Sequence, residues 1–404
     1  MKNIMFGIVV IFIIATFFII EDKSSLNNNS KSDYEQENIG LASENEVRAI
    51  YFSYIELENY IKDKSVDEAK ENIDSIISNM VSDGFNWIIL HVRPFSDSIY
   101  PSNIFLPSKS VTDSDLSFDV LDYFIEVAHS KEVEVHAWIN PYRISSDENY
   151  IISEGHPAYD FVGTNNIMSI AGKGVFYNPA SDDVTSLIVS GVEEIVSNYE
   201  VDGIHFDDYF YPCDDIDLDN YSLYIDSGGE MTLDEYRLDN VSRMISSVYS
   251  AIKAIDEEVV FGIAPQGNID NNYTLEYLDV KKILSESGYV DYIMPQIYFG
   301  FLNEARPFVE TIEEWSSLIE VSSIDLIPAL SLYKSGSEDQ YAGSGSKEWI
   351  DNVDILKRQI VYAMGVSNCV GFSIFRYDHF YNIDKQNENM KLEVENVRAV
   401  IKEY

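Results

Sequence analysis

One pattern constrains this chain more than any other: a short apolar run with polar residues at its end, then an amphipathic stretch, recurring eight times from Val47 onward. The runs are VRAIYFSYI (47–55), WIILHVRP (87–94), VEVHAWINPY (133–142), DGIHFDDY (202–209), VVFGIAP (259–265), DYIMPQIYF (291–299), DLIPALSLY (325–333) and VGFSIFRY (370–377). Between them, stretches such as 66–84, 119–132, 182–199 and 234–255 place apolar residues three and four apart, the spacing of a helix with one buried face. Continuous apolar strands alternating with helices form a parallel sheet covered on both sides. Eight such units predict an α/β fold, a (β/α)8 TIM barrel, over residues 46–404. An open doubly wound sheet is the rival architecture. The lack of a glycine-rich phosphate loop after the first run counts against it.

In such barrels the chemistry sits at the C-terminal strand ends, and here those ends are polar. Alternation along a strand assigns the sides. In the fourth run Ile204 and Phe206 face the helices, so Gly203, His205 and Asp207 point into the barrel, while Asp208 turns outward or into the following loop. By the same rule His136, Trp138 and Asn140 point inward, and Gln296 and Tyr298 share a face with Met294. Further polar groups at strand ends are His91, Arg93, Arg143, Gln266, Arg376 and Asp378. A single inward His or Asn at a barrel mouth is more often a structural hydrogen-bonding residue than a catalyst. A carboxylate there is costly unless it is paired or functional, and this singles out Asp207. Pairing with His205 or Arg93 would be the structural explanation. His91, His136, His205 and Asp207 would form a metal site if they converged, but no HxH or HExxH pair supports one. The acidic loop 214–226 has Asn220 where a calcium loop turns on Gly, and a short Asp226 as its last ligand, so it reads as solvated. No metal and no cofactor is expected.

The formal net charge of −42 excludes nucleic acid, whose phosphates require clustered Lys and Arg, and disfavours anionic lipid surfaces. Two cysteines, Cys213 and Cys369, describe a large core that needs no disulfide staples. Residues 4–20 carry no charge, so 1–21 reads as a signal peptide or membrane anchor and 22–45 as a polar linker. The expected protein is therefore exported, extracellular or at the cell surface, secreted or held by that N-terminal segment, and monomeric.

Several longer phrases, in order, carry a family resemblance: VRPFSDSIYPS (92–102), AHSKEVEVHAWINPYRI (128–144), FYNPA (176–180), YEVDGIHFDDYFYP (199–212), YRLDN (236–240), FGIAPQG (261–267) and GYVDYIMPQIYF (288–299). From about Glu46 onward the chain resembles the glycosyl-hydrolase-like barrels of bacterial envelopes, once catalogued as a domain of unknown function and distantly similar to α-amylase-type glycosidases. The resemblance implies an exported barrel enzyme acting on glycan, with cell-wall peptidoglycan strands as its substrate class. In the amylase-like pattern the fourth strand ends in an Asp nucleophile, and Asp207 stands at that place. The amylase-type acid is a Glu after the fifth strand, whereas here that run ends GIAPQG, and His205 replaces the arginine that precedes the nucleophile.

Cleavage of a glycosidic bond needs one protonated and one ionised carboxyl group. Asp207 is assigned the ionised role, with the acid left among Asp208, Asp97 and Asp378. Arg93, His136, Asn140, Tyr142, Arg143, His205, Gln296 and Tyr298 would bind hydroxyl and N-acetyl groups. Two alternatives stand beside this reading: a non-catalytic glycan-binding barrel, and a metal-dependent hydrolase or deacetylase.

Overall fold

The computed structural model describes residues 46–403; the N-terminal segment and linker expected over 1–45 lie outside the described residues. Every apolar run contains a strand. These are β1 (Val47–Phe52), β2 (Trp87–Arg93), β3 (Glu134–Ile139), β4 (Gly203–Phe206), β5 (Val260–Ile263), β6 (Tyr292–Ile293), β7 in two pieces (Asp325–Leu326 and Ala329–Ser331) and β8 (Gly371–Phe375). β1 to β6 pair in parallel in sequence order, and β1 also pairs with β8. The first piece of β7 pairs with β6 and the second with β8, so the sheet closes on itself through one interrupted strand. Pro328 falls in the gap. It offers no N–H, and its carbonyl instead accepts from the Ser373 N–H at 3.0 Å. Pro265 and Pro295 follow β5 and β6 closely, which accounts for strands shorter than their apolar runs.

Amphipathic helices cover the outside, including Val66–Ser82, Val120–His129, Asp182–Asn198 and Leu233–Ile255. Their starts are set by side-chain caps at Ser65, Asp119, Ser181 and Thr232, each accepting a backbone N–H of the first turn. Alternation along the strands divides the core in two. Ile204, Phe206, Val135, Ala137 and Ile139 pack outward against the helices. Ala49, Tyr51, Ile89, Trp138, Tyr292 and Met294 fill the barrel interior.

The interior is partly polar and closed by its own hydrogen bonds. Tyr292 Oη lies 3.0 Å from Nδ1 of both His136 and His205, and Tyr51 Oη lies 3.1 Å from His205 Nε2 and 3.1 Å from Met294 Sδ. Gly262 makes room for this layer, since a Cβ there would sit 2.1 Å from the Tyr292 ring. With that ring fixed by two imidazoles, Gly262→Ala should cost about 1–3 kcal/mol, the usual range for overpacking. Chemical denaturation of the variant measures it, and a loss near zero would mean the ring has room to move.

Two insertions decorate the C-terminal side of the barrel. The loop after β2 carries a short parallel pair, Asp97–Ser98 with Leu106–Pro107. After β3 a three-stranded antiparallel sheet forms from Arg143–Ser145, Ile167–Ile170 and Gly174–Tyr177. That small sheet was not anticipated; all three of its strands lie outside the eight apolar runs.

Candidate active site

β4 ends at Phe206, and the next two residues carry carboxyl groups into the barrel mouth. Asp207 is 4% exposed. Its Oδ2 accepts from Trp138 Nε1 at 3.2 Å, and its Oδ1 from the Tyr209 N–H at 3.5 Å. Trp138 is itself fixed by His91, stacked on it at 3.7 Å between ring centres and 9° between planes. Burial, then the adjacent Asp208 charge, push the Asp207 carboxyl well above the ordinary carboxylate range, against the opposing pull of Tyr209, Trp138 and Arg143. Asp208 was expected to turn outward or into the following loop; it lies in that loop, and because strand pairing stops at Phe206 its carboxyl still shares the mouth with Asp207. Burial raises the Asp208 pKa, and a side-chain hydrogen bond from Gln296 opposes the rise.

Around the pair stand Arg143, Gln296 and Tyr298. Arg143 spans the rings of Phe95 and Tyr209 at 4.8 and 5.2 Å, with its charge facing Asp207. Gln296 is oriented by donating to the Ala264 carbonyl at 2.9 Å. Burial, then Tyr333 and the two carboxylates, hold the Tyr298 phenol protonated. Tyr209 forms an exposed aromatic rim at 45% of its surface.

The other expected residues lie elsewhere. Arg93 points away from the barrel axis after an irregularity in the β2–β3 register; its guanidinium covers the Phe105 ring at 4.3 Å and fills the space left by Gly191 on a surrounding helix. His136 and His205 are fully buried in the interior layers and engaged by Tyr292, so they support the mouth from below rather than line it. Burial drives the His205 pKa well down, which keeps the ring neutral. Tyr142 belongs to the outer core. Asn140 joins β3 to the end of β2 by donating to the Pro94 carbonyl at 3.1 Å. Asp97 closes its own turn, accepting from the Phe95 N–H at 3.0 Å, and burial raises its carboxyl to about 6. Asp378 is buried behind β8 and β1, bonded to Asn59, Tyr60 and Lys385. The structure therefore removes Asp97 and Asp378 from the group around Asp207. Among the described residues no three His, Cys, Asp or Glu side chains are grouped to hold a metal ion.

Sequence reasoning passed over one carboxylate, Glu276, in the loop between β5 and β6. Its Oε2 accepts from the Tyr211 N–H at 3.3 Å and its Oε1 from Gln266 Nε2 at 2.9 Å. Burial, then the Asp208 charge, raise its pKa to about 7. The only signal for it in the sequence is an acid set in the apolar phrase TLEYL ten residues beyond Gln266.

A closed parallel barrel with a carboxyl pair at the end of β4 is a glycosidase-type fold. It is similar to the PgaB (BpsB) glycoside hydrolase domain from Bordetella bronchiseptica, at 15% identity and a TM-score of 0.53, covering 88% of this chain and 98% of that one. The chain belongs to the glycosyl hydrolase-like 10 family, which matches residues 46–343. It is 28% identical over 349 residues to glycosyl hydrolase YngK of Bacillus subtilis (strain 168), covering 80% of this chain and 68% of that one. Glycosyl hydrolase DigH of Escherichia coli (strain K12) is 29% identical over 327 residues, 73% of each chain.

Proposed function

We propose that the protein hydrolyses glycosidic bonds in glycan strands, with bacterial cell-wall peptidoglycan as the substrate class, using Asp207 and Asp208. The observation that carries this reading is the pair itself: two consecutive carboxyls in one mouth, both with raised pKa values, among Trp, Tyr, Arg and Gln side chains suited to a sugar. Two acids that close cannot both ionise freely, so one retains a proton near neutral pH. Asp207 is buried and Asp208 only partly so, and on that ground Asp207 is assigned the proton and Asp208 the charge. These roles are the reverse of those that the amylase-like resemblance implies. Asp207 would protonate the leaving oxygen, and Asp208 would face the positive charge that builds on the sugar ring.

The cell-wall substrate rests on the family resemblance and on the envelope location read from the uncharged N-terminal run. Export, attachment through that run and a monomeric state belong to the same proposal. Among the described residues no helix is long and apolar enough to cross a membrane. Incubation with peptide-free and peptide-bearing glycan strands, with and without chelator, tests the reading by mass spectrometry. Shortened chains in both chelator arms are expected. Acetate release abolished by chelator would identify a metal-dependent deacetylase, and binding without new reducing ends a glycan-binding barrel.

A further inference from the structure

We propose that Glu276 is a positioning residue for the carboxyl pair, tying the loop after β4 to the loop after β5. The inference rests on the glycan-hydrolase reading above. Tyr211, whose N–H Glu276 accepts, lies three residues beyond Asp208, with Phe210 beside it also bonding the same carboxylate through its backbone. Gln266, the second partner, belongs to the loop after β5, and is fixed in turn by Asn272, whose Nδ2 donates to its carbonyl at 2.6 Å. Glu276 thus clasps the chain segment that sets where Asp208 points. Both of its oxygens are committed to joining the two loops, which is what assigns Glu276 the positioning role.

The charged groups facing Glu276 are Asp208 from the end of β4, which raises its pKa, and Lys173 from the small antiparallel sheet, which lowers it. Lys173 also grips the same loop, donating to the Pro212 carbonyl at 2.7 Å. Tyr211, Phe210 and Gln266 present only neutral groups to it. Below about 7 the carboxyl is neutral and the two loops meet with a single charge between them. Above about 7 it ionises beside Asp208, and like-charge repulsion opposes the contact that orders the loop.

Glu276→Gln keeps an oxygen for the Tyr211 N–H and, after a flip of the Gln266 amide, a bond to that side chain, but cannot ionise. The wild-type protein should lose kcat/KM on glycan strands as pH rises through about 7, whereas Glu276→Gln holds its acid-side activity across that range. Glu276→Ala should lose kcat at every pH, by roughly tenfold for one hydrogen-bonded anchor, with KM little changed. A second readout needs no activity. A carboxyl raised from 4.5 to about 7 contributes stability that is full below 4.5 and lost as pH climbs to about 7. The denaturation midpoint of Glu276→Gln should therefore rise relative to wild type across that window and level off above it. A constant difference between the two proteins, or identical pH profiles of activity, overturns the proposal. Failure of the wild type to shorten any glycan overturns the hydrolase reading instead, and the midpoint difference still decides whether Glu276 is held as described.

Discussion

Asp207→Asn should lower kcat on unactivated glycan strands by about 10²–10⁴-fold, the usual contribution of a general acid, while recovering most activity on an aryl glycoside. The distinction follows from leaving-group chemistry. A sugar alkoxide must take up a proton as the bond breaks, whereas a nitrophenolate departs without one. Asp208→Asn removes the charge that faces the developing cation, so it should lose activity on both substrates alike. Steady-state kinetics of the two variants on both substrates would settle the roles. Equal losses on both substrates for Asp207→Asn would return that residue to the ionised role that the amylase-like resemblance implies. A misfolded variant would not mimic this outcome. Since burial raises the Asp207 pKa, wild-type stability falls as pH rises through the folded value, and the neutral Asn variant should gain on it in that direction.

Arg237→Met should destabilise the fold by about 3–5 kcal/mol, the usual result of leaving one buried charge without its partner. Arg237 is 3% exposed and Asp217 is fully buried. The guanidinium donates from Nε and Nη2 to the two oxygens of Asp217, each at 2.9 Å, and from Nη1 to Tyr277 Oη at 2.7 Å. Tyr211 Oη donates to the same carboxylate at 2.7 Å. The network pins the segment following Asp208 to the long helix Leu233–Ile255. Because the two side chains share one interaction, Arg237→Met with Asp217→Asn should cost clearly less than the sum of the single changes. Urea denaturation of all three variants provides the measurement, and strict additivity would show that the pair is not a unit. Activity should fall in step, since the same segment carries Tyr209 and Tyr211.

The barrel was legible because its signal is repeated. Eight apolar runs with helical spacing between them leave few architectures, and each run contained its strand. Alternation also located the inward faces of β3 and β4, as Trp138 and His205 show. It was less informative at two levels. Depth along the barrel axis is not written in a period of two, so His136 and His205, both inward, were read as lining the mouth although they are fully buried in the interior and bonded to Tyr292. Alternation also holds only while strands pair. It therefore does not say that Asp208, in the loop one residue past Asp207, still enters the mouth, and it assigns no side to Arg93, which follows an irregularity in register. Glu276 was hidden for a third reason: its place beside Asp208 is made by loop packing between β5 and β6, which leaves no periodic trace.

Hydrolysis at the carboxyl pair is tested most directly by digesting peptide-free glycan strands in water enriched in the heavy oxygen isotope and weighing the fragments. One heavy oxygen at each new reducing end is the expected result, absent when both Asp207 and Asp208 are changed to Asn. Unshortened strands, fragments without the isotope, or cleavage that persists in the double variant would contradict it.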